Sequence, residues 1–215
     1  MKNKTKSYLD QLFERYPHLA PSREGVFQAF SILLACYMTG GKLLVCGNGG
    51  SAADSEHIVG ELMKGFVLPR HIDKNLAEKL VQIYGEDGNY ISKNIQRGLP
   101  TISLVSNIAL STAFANDQAP ELTFAQQVLG YGKKGDVLLG ISTSGNSKNV
   151  VYATEMANML GLETIALTGS KDSKLSGIAK ITIRASETET FKVQEQHLPI
   201  YHALCLAIEN EIFGD

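Results

Sequence analysis

Two side chains near the middle of the N-terminal half have the residue types and the spacing of an acid–base or metal site. His57 and Glu61 are four residues apart in a segment with a helical pattern, so both lie on one helix face, one turn apart. Such a pair can ligate a metal ion or position a general base. A solvated histidine–glutamate pair on a helix surface has the same spacing, so the pair alone leaves both interpretations open.

A second group of chemically capable residues lies near the C-terminus. On one continuous helix, Gln194 and His202 would be ~12 Å apart along the axis, too far to meet at one point. One solution is a helix that begins near Leu198, with Pro199 in its first turn and Gln194 folded back outside it. The other is that the two residues serve a site from different subunits. His197 is either a supporting residue, a substitute ligand or a surface residue.

Two loops have the composition of an anion-binding cradle. Residues 47–54 are glycine-rich and run into a helical pattern, and Ser51 is predicted to cap the N-terminus of that helix, whose free N–H groups attract anions. Residues 142–147, Ser-Thr-Ser-Gly-Asn-Ser, place four hydroxyls and a glycine directly before another helix. Neither loop has the ending of a P-loop or the glycine spacing of a dinucleotide site. The loops therefore predict binding of a phosphate monoester rather than a nucleotide.

Short apolar runs precede these loops and predict the strands of a sheet. The runs cover residues 43–46, 101–105, 137–141, 164–167 and 181–183, with helix-like stretches between most of them. Apolar runs that alternate with helices are typical of a buried parallel sheet. The predicted fold class is α/β, a three-layer sandwich in which helices flank a five-stranded parallel sheet. Residues 1–40 predict two further helices. Ligands of such sheets bind beyond the carboxyl ends of the strands, where both loops lie.

Composition narrows the classes of function. The 215 residues have a formal net charge of −2 and contain no basic run, which argues against a nucleic-acid partner. No apolar run approaches the ~20 residues of a membrane span, and the N-terminus lacks the apolar stretch of a secretory signal. Cys36, Cys46 and Cys205 lie in apolar contexts and predict buried, reduced thiols and a cytoplasmic location. With no repeat and no linker, residues 1–215 are predicted to form one domain.

Taken together, these stretches resemble the SIS (sugar isomerase) family of phosphosugar-binding proteins. The resemblance extends from Gly41 onward and keeps the family's order of motifs. It rests on Cys46-Gly47-Asn48-Gly49-Gly50-Ser51, His57-Ile58-Val59-Gly60-Glu61-Leu62, Asn116-Asp117, the run from Gly135 to Ser147, Ala166-Leu167-Thr168-Gly169, and Gln194-Glu195-Gln196-His197 with His202. It implies the SIS fold, with the N-terminal helices packed at an oligomer interface.

The resemblance also implies an activity and a set of roles. The activity is aldose–ketose isomerisation of D-sedoheptulose 7-phosphate to D-glycero-D-manno-heptose 7-phosphate through an enediol, with Glu61 as the general base and His202 as its acid–base partner. The implied substrate contacts are Asn48, Gly49, Gly50, Asn116, Asp117, Ser142, Thr143, Ser144, Ser147 and Gln194, and Ser51 joins them through its place in the first loop. One Zn²⁺ per subunit would be held by His57, Glu61, Gln194 and His202. The implied assembly is a homotetramer with active sites at subunit interfaces.

Two alternatives remain open. The chain is either an isomerase of another ketose phosphate, or a non-catalytic SIS module that binds a sugar phosphate or a protein partner. A binding module has no need of the pair Glu61 and His202, so the presence of both favours an enzyme. The need for zinc also stays open, because a Glu61 carboxylate that ligates the metal is less available as a base.

The chain departs from the family pattern at three places. Residues 67–99 are longer than the pattern and predict an inserted helix, capped by Asp73 and ended at Gly85, with an apolar face of Leu76, Leu80 and Ile83. This insert is either a lid, with Arg70 or His71 reaching the substrate, or a packing extension at a subunit interface. Gly65 and Phe191 replace an arginine and an aspartate that the family pattern leads us to expect.

Overall fold

The computed structural model describes residues 1–214 and alternates helices with short strands. In chain order the elements are α1 (Asn3–Arg15), α2 (Arg23–Met38), β1 (Leu43–Cys46), α3 (Gly50–Met63), α4 (Lys74–Asn94), β2 (Thr101–Ser103), α5 (Ile108–Asp117), α6 (Thr123–Tyr131), β3 (Val137–Ser142), α7 (Lys148–Met159), β4 (Glu163–Thr168), α8 (Lys174–Ile178), β5 (Ile181–Arg184) and α9 (Thr190–Phe213). Short 3₁₀ helices cover Pro17–Ser22 and Pro120–Leu122. Both predicted N-terminal helices and all five predicted strands form where the apolar pattern puts them.

The strands pair in the order β2-β1-β3-β4-β5, and every pairing is parallel. The pleat of β1 sends Leu43 and Val45 into an apolar layer shared with α1, α2, α3 and α9, and sends Leu44 and Cys46 into a second layer shared with α6, α7 and α8. Helices thus cover both faces of the sheet within the described residues, and the predicted three-layer α/β sandwich is confirmed.

The strand order creates a crevice at one place in the sheet. The chain passes from β1 to β2 on one side, and β3 then pairs with the other side of β1. At such a switch in direction, the loops that leave the two central strands diverge and open a crevice beyond their carboxyl ends. The glycine-rich loop follows β1 and the serine-rich loop follows β3, so the two predicted anion-binding loops flank this crevice.

Helix α9 crosses the molecule as one continuous element from Thr190 to Phe213, with Pro199 in its interior. The hypothesis of a helix that begins near Leu198 is therefore wrong. An interior proline removes one helical hydrogen bond and costs about 3 kcal/mol. Fully buried side chains on both sides of it, Val193 and Ile200 among them, pack into the core and offset that cost.

A buried ion pair fixes the chain where it leaves α3. The Arg70 side chain is fully buried, and its Nε lies 2.8 Å from Glu209 Oε1 on α9. The same guanidinium donates to the carbonyl oxygen of Leu62, at 2.6 Å, and to that of Glu61, at 3.1 Å. Arg70 is therefore not free to reach a substrate, and this part of the lid hypothesis is wrong. His71, beside it, is exposed.

The inserted segment forms α4, which begins directly after Asp73 as predicted. Gly85 has a φ of +55°, which breaks the helix, but helical structure then resumes and continues to Asn94. Gly88 is the one buried residue among those of α4 and packs on the backbone of the first half, where an added Cβ would lie 2.9 Å from the Val81 nitrogen. Ile83, Tyr84 and Tyr90 remain more than 60% exposed.

Two composition-based predictions have structural counterparts. The thiols of Cys36, Cys46 and Cys205 are free and buried, and burial raises the pKa of Cys36 to about 11 and that of Cys46 to about 12. Across residues 1–214, no helix combines the length and the apolar character needed to cross a membrane.

Candidate active site

Helices α3 and α9 bring three of the predicted site residues together in one chain. His57 Nε2 lies 3.1 Å from Glu61 Oε1 and 3.4 Å from His202 Nε2. One donor atom from each of the three residues lies within 4.8 Å of the other two. The pair on α3 is therefore not an isolated surface pair, because α9 adds a second imidazole from a distant part of the sequence.

The environment of this cluster suits proton transfer. Burial and the neighbouring His57 hold the pKa of His202 below its usual value, so a neutral His202 imidazole is available at pH 7 to accept a proton. Glu61 Oε2 is buried and has no hydrogen-bond partner among residues 1–214. Lys64 Nζ lies 3.6 Å from this oxygen, too far for a hydrogen bond, so a cation or a substrate proton would still relieve part of its desolvation penalty.

The cluster also fits a metal ion. Two imidazoles and a carboxylate are a ligand set that zinc accepts in catalytic sites, with a fourth position left for water or substrate. The convergence of the three donor atoms is consistent with a cation between them, and so is the lack of a hydrogen-bond partner for Glu61 Oε2 among residues 1–214. The residues present thus form a possible metal site of the histidine–glutamate–histidine type.

Two residues that the sequence analysis did not identify lie behind His57: Tyr201 contacts its Nδ1, and Asp54 contacts Tyr201. The Tyr201 hydroxyl lies 3.0 Å from His57 Nδ1 and donates to Asp54 Oδ1 at 3.2 Å. Burial raises the pKa of Asp54, and the hydrogen bond from Tyr201 opposes that shift. The spacing offered a signal for Asp54, which precedes His57 by three residues and so shares its helix face. Tyr201 could be found only from the packing of α9 on α3.

The glycine-rich loop turns sharply into α3. Gly49 has a φ of +56° and occupies the cap position, so the helix begins at Gly50 and Ser51 lies inside its first turn. The prediction that Ser51 caps the helix is therefore wrong: a glycine in a left-handed conformation starts the helix two residues earlier than a serine cap would. Ser51 is buried, and its N–H donates to the Asn48 carbonyl at 3.0 Å.

The serine-rich loop is held by its own hydroxyls and by the first loop. Ser142 Oγ and Ser147 Oγ are 3.0 Å apart, and Ser144 Oγ accepts the Asn146 N–H at 3.2 Å. The side-chain amides of Asn48 and Asn149 form two reciprocal hydrogen bonds of 2.9 and 2.8 Å, which join the first loop to the start of α7. Asn149 was missed in the sequence, although an amide in the first turn after an anion-binding loop was a signal for it.

Gln194 lies at the start of α3 rather than in the cluster. A Cβ added to Gly50 would lie 2.7 Å from Gln194 Cδ, so the amide packs directly on the glycine backbone. Because α9 is continuous, Gln194 stays ~12 Å from His202 along the helix axis. Within one chain, the Gln194 side chain therefore lies beside the anion-binding loop. It contacts that loop at Gly50, which precedes His57 by seven residues.

Three further candidates from the sequence, Asn116, Asp117 and His197, make their hydrogen bonds outside the cluster. Asn116 and Asp117 end α5, are exposed, and bond to each other at 2.9 Å; among the described residues neither bonds to another candidate. His197 is fully buried, so the surface interpretation is wrong, and its Nε2 lies 3.3 Å from the Thr168 carbonyl.

Comparisons with known proteins agree on one family. Residues 7–97 and 80–169 match the family model of the SIS domain. A phosphoheptose isomerase from Crocosphaera subtropica is 40% identical over 178 residues, 83% of this chain and 78% of that protein. One from Citrifermentans bemidjiense is 34% identical over 213 residues, 99% of this chain and 96% of that protein.

Two solved structures agree with the sequence relatives. A phosphoheptose isomerase from Francisella tularensis has a TM-score of 0.72 at 29% identity, with 98% of this chain and 100% of that chain covered. One from Neisseria gonorrhoeae has a TM-score of 0.70 at 30% identity, with 96% and 92% covered. The similarity therefore spans the sheet, both loops and the helices that carry the cluster.

Proposed function

This chain belongs to the SIS-domain family, and from that premise we propose that it isomerises D-sedoheptulose 7-phosphate to D-glycero-D-manno-heptose 7-phosphate. The observation that carries the proposal is the convergence of Glu61 and His202, with His57, in a fold whose two central loops each lead into the N-terminus of a helix, where an anion can bind. The extensive similarity to phosphoheptose isomerases supports the choice of substrate.

The reaction moves one proton between adjacent carbons and another between the two oxygens. Glu61 removes a proton from C1 of the ketose, and the electron pair forms an enediol as the C2 carbonyl oxygen gains a proton. The same carboxyl group then returns the proton to C2. His202, neutral at pH 7 because its pKa is lowered, moves the proton between O1 and O2.

The phosphate binds between the two loops, and no lysine or arginine is needed there. The free N–H groups at the starts of α3 and α7 and the hydroxyls of the serine-rich loop supply the donors. The proposed substrate contacts are those predicted from the sequence: Asn48, Gly49, Gly50, Ser51, Asn116, Asp117, Ser142, Thr143, Ser144, Ser147 and Gln194.

A zinc ion is the proposed cofactor of this site. His57, Glu61 and His202 would hold it, and because the Gln194 amide packs on Gly50 in this chain, Gln194 would join them from another subunit. Zinc would supply Lewis-acid polarisation of the substrate carbonyl. The buried Glu61 Oε2, which has no hydrogen-bond partner among residues 1–214, supports a cation at this position.

The proposed assembly is a cytoplasmic homotetramer of one SIS domain per chain, with residues 67–99 as an insert. The separation of Gln194 from the cluster supports active sites shared between subunits. The exposed apolar side chains of α4, Ile83 and Tyr84 among them, support the insert as a packing extension at an interface rather than as a lid.

A second candidate is the same chemistry on another ketose phosphate. It is favoured by Gly65, which cannot be replaced here by the arginine of the family pattern without moving the backbone, because an added Cβ would collide with the Leu68 carbonyl oxygen of the inserted segment. Phe191, the other departure, is 58% exposed at the start of α9. A panel of ketose phosphates assayed beside the heptose substrate distinguishes the two candidates.

The experiment that tests the proposal is turnover of sedoheptulose 7-phosphate by the Glu61→Gln variant. Removal of the base should lower kcat by about 10²–10⁴-fold, while the loops keep their affinity for the substrate. Glu56→Gln is the matched control, since Glu56 lies on the same helix and contacts Ser106 rather than the cluster. Unchanged turnover by Glu61→Gln would exclude Glu61 as the base, and saturable binding without turnover by the wild type would favour the non-catalytic module.

A further inference from the structure

With Asp54 ionised, the hydrogen bonds behind the cluster place a proton on one nitrogen of His57. The Tyr201 hydroxyl carries a single proton, and it donates that proton to Asp54 Oδ1. A carboxylate offers lone pairs but no proton in return. The Tyr201 oxygen therefore faces His57 Nδ1, 3.0 Å away, with a lone pair, and Nδ1 must be the nitrogen that carries a proton.

A proton on Nδ1 decides what the other nitrogen of the ring can do. A neutral imidazole has one N–H, so His57 Nε2 then carries a lone pair and makes no hydrogen bond to Glu61 Oε1, 3.1 Å away. Two acceptors that converge in this way, with His202 Nε2 3.4 Å from His57 Nε2, leave a place for a cation between them. A neutral ring with a lone pair on Nε2 is the state in which imidazole ligates a metal ion, and the partner of the remote N–H selects it. We propose that Tyr201 and Asp54 are positioning residues that hold His57 as the Nδ1–H tautomer, with Nε2 directed at the metal and substrate.

The packing around Tyr201 makes it suited to this task. Its side chain is 2% exposed, and its ring meets those of His57 and His202 edge to face, with centroids 5.5 and 5.0 Å away. The hydroxyl is thus held at one point by contacts on several sides. Asp54 Oδ2 is buried and has no hydrogen-bond partner in residues 1–214, so the Tyr201 proton is the contact that this carboxylate makes.

The first test is the zinc affinity of the full-length protein in its native assembly, measured by competition with a chromophoric chelator. Tyr201→Phe keeps the ring and removes the hydroxyl, and it should weaken zinc binding about 10–100-fold, as loss of such outer contacts does. Tyr37→Phe is the matched control, because it removes a half-buried hydroxyl that bonds Thr101 Oγ1 at 2.9 Å, away from His57. An unchanged affinity in Tyr201→Phe would overturn the proposal.

A double-variant cycle separates positioning from general damage to the fold. If Asp54 acts on His57 only through Tyr201, Asp54→Asn combined with Tyr201→Phe should bind zinc no more weakly than Tyr201→Phe alone. Losses that multiply in the double variant would show independent effects and contradict the proposed chain of contacts. Circular dichroism of each variant confirms that the helices persist.

The tautomer itself can be read without zinc and without turnover. Long-range ¹⁵N–¹H spectra of histidine-labelled protein at a pH where the ring is neutral should show His57 protonated on Nδ1, and Tyr201→Phe should shift that population toward Nε2–H. A wild-type His57 protonated on Nε2 would refute the proposal. The zinc measurement depends on the proposed metal site, whereas the tautomer measurement does not. If the protein binds no zinc, the proposed cofactor is excluded, and the spectra still decide which tautomer His57 adopts.

Discussion

Gly50 is the residue on which the anion-binding end of the site depends most directly. It begins α3, and the Gln194 amide packs on it so closely that an added Cβ would lie 2.7 Å from Gln194 Cδ. Gly50→Ala should therefore displace Gln194 and disturb the free N–H groups at the helix start. We expect the KM for the sugar phosphate to rise by about tenfold or more, equivalent to at least about 1.4 kcal/mol of binding, as measured by steady-state kinetics.

Gly60→Ala provides the control for this substitution. Gly60 lies on the same helix, and among residues 1–214 no atom beyond that helix's own backbone lies within 4 Å of the Cβ it would gain. Its KM should stay unchanged, and helix propensity predicts a gain in stability of about 0.5–1 kcal/mol. Equal KM values for the two variants would show that Gln194 does not shape the substrate site.

How much of the site the sequence could predict depends on how far each contact reaches. His57 and Glu61 could be paired because both lie on α3, where helical spacing alone brings them together. The contact of His202 with His57, 145 positions away, was accessible only through the family resemblance. Neither helical spacing nor the family resemblance identified Tyr201 and Asn149, because each acts through a side-chain contact between elements that no local pattern encodes.

At the scale of elements, α9 packs into the core with a buried histidine whose protonation destabilises the folded state. His197 is fully buried against the end of β4, and burial lowers its pKa to about 4. The unfolded chain, with a histidine pKa near 6.5, binds this proton at a higher pH than the folded chain. Stability from this group is therefore complete above pH 6.5 and falls as the pH drops toward 4, by about 2 kcal/mol at pH 5.

Denaturant unfolding at pH 7.5 and pH 5 checks this linkage. His197→Leu removes the titrating group and should lose less stability between the two pH values than the wild type does. His18→Gln, at an exposed histidine, should follow the wild-type pH dependence. A wild-type pH dependence in His197→Leu would assign the acid sensitivity to other groups.

The elements themselves were largely predictable, and the exceptions have physical reasons. Short apolar runs located all five strands, because a parallel sheet buries both faces of every strand. The continuity of α9 could not be predicted, since core packing on both sides of Pro199 outweighs a local preference that favours a break. Ser51 failed as a cap because glycine can take the left-handed conformation that starts α3 earlier.

At the scale of the whole molecule, α4 is the feature that the single chain leaves unexplained. Light scattering of the purified protein should give a mass of four 23.3 kDa chains. Ile83 is 67% exposed on α4, so Ile83→Glu should leave the fold of the chain intact and lower the measured mass by opening the proposed interface. Lys79→Glu, an exposed polar position on the same helix, is the control.

A tetramer that survives Ile83→Glu would show that α4 lies outside the interfaces, and it would favour the interpretation of the insert as a lid.

The sequence could predict that a helix begins after Asp73, because the apolar spacing is local. It could not predict that the helix resumes after Gly85 and folds back, because that depends on the close approach of Gly88 to the Val81 backbone.

The reciprocal amide bonds between Asn48 and Asn149 have a consequence for how the two loops can change during evolution. Each side chain supplies both a donor and an acceptor to the other, so a change at either position removes two hydrogen bonds at once. A single substitution therefore leaves a mismatched partner, whereas a paired exchange can restore a joint between the loops. Positions 48 and 149 should covary among descendants of a common ancestor, although 101 positions separate them in the chain.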